Sequence, residues 1–122
     1  MLARYYGRMA ETEGGLMVVE NSRGYVSAVF RYVVHTAPSL TGHSLWPLGQ
    51  RMLQLSDLVL VNLPGGRTER AISDGAVQLA EAAACTMISV EVPLTGAGGT
   101  CAAAFRECGY RYAGTRMVRS DF

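Results

Sequence analysis

The stretch from Ser56 to Pro93 constrains the chain most. Asp57-Leu-Val-Leu-Val-Asn62 is an apolar run of strand length, and Pro64-Gly65-Gly66 ends it. Ala71, Ile72, Gly75, Ala76, Leu79, Ala80 and Ala83 then recur at helical spacing and mark one face. Ser73, Asp74, Gln78 and Glu81 fall on the opposite side. Thr86 to Val92 is a second strand, stopped by Pro93. Two strands joined by one helix are most simply parallel, through a right-handed crossover. The loop that leaves the first strand and opens the helix is then the place to seek a ligand, here Leu63 to Arg70.

What precedes this unit reads as a hairpin. Leu16–Glu20 and Tyr25–His35 are strands rich in β-branched and aromatic residues, joined by Asn21-Ser-Arg-Gly24. Met1 to Glu13 reads as a short helix or the tail of one, because Leu2, Tyr5, Tyr6 and Met9 share a helical face. Thr36 to Gly49 is irregular and carries Trp46, read as a plug over the core. Gln50 to Leu55 is a helical turn or the approach to the next strand. After Pro93, Thr100 is a candidate N-cap for a helix reaching about Cys108. Gly109 sits where a helix end favours a left-handed residue, and Tyr110 to Arg119 supplies a last strand or bent strand pair.

A chain of 122 residues makes one domain, residues 1–122, around one core. Its formal charge of +1 gives no general polyanion signal, so no nucleic-acid partner is expected. No apolar run reaches the ~18 residues of a membrane span, and the N-terminus lacks the apolar core of a signal peptide. Neither membrane binding nor secretion is expected, and the location is read as cytoplasmic. All 11 basic residues are arginine, which excludes lysine chemistry such as a Schiff base. Arg111, Arg116 and Arg119 on the last strand read as a solvated face. Cys85, Cys101 and Cys108 lack the spacing of a disulfide framework, and Cys101 and Cys108 share a helical face with Ala104 and Phe105 as small hydrophobes. The histidines His35 and His43 are too few for a zinc site, so no metal is expected. Gly96 to Thr100 fails the dinucleotide glycine pattern at Cys101.

Three stretches in this order resemble the GNAT acetyltransferase superfamily. Glu20-Asn-Ser-Arg-Gly-Tyr-Val26 resembles the turn between the family's second and third strands. Arg67 to Ala84 occupies the place of its cofactor-binding helix. Phe105-Arg-Glu-Cys-Gly-Tyr110, followed by Ala113-Gly114, resembles its helix-end motif. The resemblance implies an α/β fold, a mixed and mostly antiparallel sheet with flanking helices, whose N-terminal part is missing. It implies acetyl transfer from acetyl-CoA to an amine, with the thioester lying where the two strands of the central unit splay apart. The residues placed for coenzyme A contact are Val61, Leu63, Gly65, Gly66, Arg67, Thr68 and Arg70. Independently of the family, a helix start with free N–H groups suits an anion.

Departures from the family pattern set further expectations. In ungapped register Pro64, Arg67 and Glu69 replace the motif's first residue and its small positions, and Glu69 puts a carboxylate near the diphosphate. Phe105 stands where the family often has its general-acid tyrosine, so the reaction is expected to be slow or absent. The catalytic residues are therefore open; Glu20 is a base candidate and Tyr110 an acid candidate, with Tyr112 nearby. With so little chain before the hairpin, strand Leu16–Glu20 is expected to be a bare edge, covered by a second copy in a homodimer. The alternative to an enzyme is a non-catalytic GNAT-like binding module or an accessory piece of a longer protein.

Overall fold

The computed structural model describes residues 2–6, 14–36, 51–60, 66–92, 98–114 and 116–122. In chain order the elements are β1 (Leu2–Tyr6), β2 (Gly14–Glu20), β3 (Val26–Thr36), β4 (Arg51–Leu60), α1 (Arg67–Ala82), β5 (Met87–Val90), α2 (Gly98–Glu107), β6 (Arg111–Ala113) and β7 (Arg116–Arg119). The strands form one mixed sheet in the order β1-β2-β3-β4-β5-β7-β6. Every neighbouring pair is antiparallel except β4 and β5, which run parallel as the crossover requires. The expected α/β fold with a mixed, mostly antiparallel sheet is what the chain adopts.

The hairpin forms as its composition dictates. Asn21 Oδ1 accepts from the backbone N–H of Arg23 at 2.9 Å and of Tyr25 at 3.0 Å, and Gly24 takes φ 82°. That side-chain turn fixes the β2–β3 connection. Along β3 the residues Ala28, Phe30, Tyr32 and Val34 alternate into the core, while Arg31 and His35 are exposed.

Helix α1 lies across β1 to β5, with α2 beside it. Ile72, Ala76, Leu79 and Ala80 from α1 join Cys101, Ala102 and Phe105 from α2 over Met17, Phe30, Leu53, Leu55, Ile88 and Val90 of the sheet. The opposite face holds a smaller cluster of Met52, Met87 and Val118. Among the described residues no helix is long and apolar enough to cross a membrane.

Three expectations are corrected. Residues 2–6 are a strand, not part of a helix, and pair with β2 from Leu2 opposite Glu20 to Tyr6 opposite Leu16. Five residues cannot hold an isolated helix, whereas Tyr5 and Tyr6 suit a sheet. The edge of β2 is therefore paired within the chain, which removes the reason given for a second copy. The strand expected from Asp57 begins at Arg51, which settles the stretch left open between a helical turn and the approach to that strand, and it is this earlier part of β4 that pairs with β5. Ser73, placed on the solvent side of α1, is buried because α2 and β7 pack along that flank. The irregular segment with Trp46, His43 and the loop residues Val61, Leu63 and Gly65 lie outside the described residues.

Candidate functional site

Strands β4 and β5 part company halfway. Met52–Leu55 pair with Met87–Val90, and the last bond between them runs from the Glu91 N–H to the Leu55 carbonyl at 3.0 Å. Beyond Leu55, β4 continues to Leu60 and, among the described residues, pairs there with β3 alone. The cause lies in β4 itself. Its register against β3 slips between Ser56 and Val59, so two residues, Asp57 and Leu58, oppose Phe30. Asp57 takes φ 54°, a left-handed conformation that aspartate tolerates better than most residues. Such a bulge bends the strand that carries it. On the other side β5 follows β7, with Val90 opposite Met117. The two parallel strands thus form a wedge that opens from the Leu55–Val90 pair.

Arg116 of β7 holds the narrow end of this wedge. Its guanidinium donates to the Leu55 carbonyl at 2.6 Å, to Ser89 Oγ, and to Glu91 Oε2 at 3.1 Å. It ties β7, β5 and β4 together at the point where pairing stops. This corrects the reading of the last strand as a solvated face. Arg116 is engaged, Arg119 reaches Ser73 Oγ at 3.4 Å, and of the three Arg111 is the exposed one. The signal was the strand's period of two, which sends Arg116 and Val118 to one side and Met117 and Arg119 to the other.

The start of α1 has two unlike flanks. Gly66 is its N-cap at φ 66°, and a Cβ there would lie 2.9 Å from the Cβ of Ala104 on α2. Only glycine allows the two helices to approach so closely. Facing the same helix, Glu69 is 0% exposed. Its Oε1 accepts from Cys101 Sγ at 3.5 Å, and its Oε2 has no partner. Burial, then the neighbouring Glu69 carboxylate, pushes the Cys101 thiol up to about 12. Cys101 is therefore a buried thiol and not a nucleophile at neutral pH. Thr68 is buried too.

Arg67 and Arg70 point the other way, into a groove of about 710 Å³ between α1 and the β2–β3 turn. Arg23 and Tyr25 of that turn face them, with Asn21, Ser22, Ala71 and Asp74 completing the lining. Of the residues placed for coenzyme A contact, the fold thus brings Gly66 and Thr68 to the helix start and Arg67 and Arg70 to its outer flank. Arg23 and Tyr25 were not anticipated as their neighbours.

The acid and base candidates sit apart. Glu20 ends β2 and is half-buried. Tyr110 follows α2, is 2% exposed, and meets the Phe105 ring edge-on with centroids 5.3 Å apart. Burial pushes its hydroxyl up to about 12, against a smaller downward pull from the neighbouring Ser73. Phe105 itself is fully buried. Among the described residues no group of histidine, cysteine, aspartate and glutamate is arranged to hold a metal ion.

No protein-family model matches the chain, and no curated protein sequence matches it. Solved structures do. A tetramutant of the BH1408 protein from Bacillus halodurans superposes with a TM-score of 0.63 at 15% identity, covering 85% of this chain and 64% of that one. A chimeric form of the spermidine N-acetyltransferase SpeG from Vibrio cholerae gives 0.60 at 11% identity, with 92% and 69% covered. AAC(6')-Ib, solved in complex with ribostamycin and coenzyme A, gives 0.60 at 16% identity, with 93% and 67% covered. The chain spans under two thirds of the length of the BH1408 protein. These likenesses establish the GNAT-like fold.

Proposed function

We propose that the chain binds a coenzyme A thioester of the acetyl-CoA type in the β4/β5 wedge and transfers the acetyl group to an amine. The observation that carries this reading is the parting of the two strands after Leu55 and Val90, forced by the bulge at Asp57 and pinned by Arg116. Strand backbone left unpaired along such a gap presents N–H and C=O groups that a thioester's amide-bearing arm can bond. A spermidine N-acetyltransferase and a coenzyme A complex among the similar structures support the same reading. The thioester supplies an activated acyl carbon; the chain's part is to hold it beside the amine. Phe105 has no proton to give a departing thiolate, so the transfer is slow.

The residues fit the thioester arm and not a diphosphate seated on the inner side of α1's first turn. Glu69 fills that side, and its carboxylate would repel the phosphates. This observation favours a second reading, a non-catalytic module that keeps the fold without the reaction. Neither reading needs a second copy of the chain to complete the sheet. Its three cysteines are free, which suits a reducing, cytoplasmic setting.

The test is a thermal melt with and without millimolar acetyl-CoA. A ligand at ten times its Kd adds about 1.4 kcal/mol, a rise of roughly 4–8 °C for a domain of this size. An unchanged Tm removes the reading. If Tm rises, thiol release is measured with primary amines that include spermidine and ribostamycin. A raised Tm with no thiol release selects the non-catalytic module.

A further inference from the structure

The arm of β4 that has left β5 carries an apolar cleft. Val59, on that arm, is 71% exposed, and Val26 at the start of β3 is 52% exposed. Val29 stands opposite Val59 across the β3–β4 pair and is half-buried. These three valines, with Ala28 and Leu60, wall a cleft of about 140 Å³ whose one polar residue is Ser27. Ser27 is itself buried. Valine suits a strand, but two valines left this open beside a third make an apolar pad that faces water at the edge of the wedge. An apolar cavity of about 150 Å³ holds one benzene ring. The cleft therefore has the size and the lining for a single aromatic ring.

The charges nearby do not suit a polycation. Asp57 on β4 and Glu91 after β5 flank the wedge, and each already faces an arginine, Arg31 at 3.4 Å and Arg116 at 3.1 Å. Glu20, opposite Val26 across the hairpin, is engaged as well. A polyamine bound here would have to displace these partners to neutralise its ammonium groups. A ring entering the cleft displaces only water.

We propose that the amine acceptor is a primary monoamine bearing one aromatic ring, with the ring seated among Val26, Val29 and Val59. The assignment deepens the acyl transfer proposed above and rests on it, since the cleft sits on the arm of β4 that borders the wedge. In that transfer the neutral amine nitrogen attacks the thioester carbon. The C–N bond forms as the C–S bond breaks, and the nitrogen's surplus proton passes through water to the departing thiolate.

The experiment is calorimetric titration of the whole chain, loaded with coenzyme A so that no turnover occurs, with phenethylamine, ethylamine and spermidine. Phenethylamine binds at least about tenfold more tightly than either of the others, the gain expected from burying a ring. Val59→Asp and Val26→Asp each weaken phenethylamine about tenfold and do not weaken spermidine. Arg111→Gln, exposed on β6, changes none of the three affinities, and all the variants melt like the parent. Absence of heat with phenethylamine at several millimolar overturns the proposal. So does spermidine binding as tightly as phenethylamine, or a Val59→Asp chain that binds phenethylamine like the parent. Each of these results leaves acyl transfer standing for another amine. A chain that coenzyme A does not bind removes the acyl transfer itself, and the assignment with it.

Discussion

The two flanks of α1 carry similar residues and do opposite things. Toward the sheet and α2 the helix presents Glu69, Ile72, Ser73, Ala76 and Leu79, all essentially inaccessible. Toward the hairpin turn it presents Arg67, Arg70 and Asp74, all exposed. A carboxylate therefore sits in the packed flank and a cluster of guanidinium groups in the open one. What separates them is not polarity but the approach of a second helix. Gly66 lets α2 come within reach, and everything on that side is then removed from water. A charged group so placed costs free energy unless bonded, and among the described residues Glu69 has only a thiol to bond with. The open flank bears no such cost and keeps its charges available.

The strongest way to break this contrast is to truncate one residue on each flank. Leu79→Ala on the packed side removes a fully buried side chain and lowers unfolding free energy by about 3 kcal/mol. Gln78→Ala, exposed on the same helix, changes it by less than about 0.5 kcal/mol. Urea denaturation compares them directly. Equal losses would mean that α1 does not pack as described.

A second substitution sharpens the contrast at the ligand. Glu69→Ala removes the carboxylate that faces the helix start from the packed flank. If the wedge takes acetyl-CoA, its affinity rises about tenfold, roughly 1.4 kcal/mol, because a like charge no longer opposes the phosphates. Titration of both proteins with acetyl-CoA reads this. An affinity that stays the same shows that the diphosphate never approaches that flank.

Much of this architecture was legible in the chain. The hairpin announced itself through β-branched strands and the Asn21–Gly24 turn, and α1 through the stripe from Ile72 to Ala80. Both are local signals. What stayed hidden depends on partners distant in sequence. Leu2–Tyr6 read as helix because strand pairing to Leu16–Glu20 has no local mark in five residues. The bulge at Asp57 is a mismatch of length between two strands and is invisible in either alone. Glu69 was suspect at its position in the loop, but its burial depends on Cys101 and Ala104. Arg67 and Arg70 were named as phosphate contacts, whereas Arg23 and Tyr25 belong to the hairpin turn, and only the fold brings them alongside.

The smallest expected effect probes the packed flank by pH. Folding raises the Cys101 thiol from its ordinary 9.0 to about 12, first through burial and then through Glu69. Burial likewise raises Tyr110 from 10.0 to about 12. Both groups are neutral when protonated, so the fold favours the protonated form. Their contribution is complete below the unfolded values and is lost as pH climbs from about 9 toward 12. For Cys101 the loss reaches about 1.4 kcal/mol by pH 10. Cys101→Ser keeps a donor for Glu69 and does not titrate in this range. Its stability should fall less steeply between pH 9 and 11 than the parent's, while the two run parallel from pH 6 to 8. Parallel curves throughout would mean that the thiol is no more shielded than the arginines across the helix, and the distinction between the flanks would lose its physical basis.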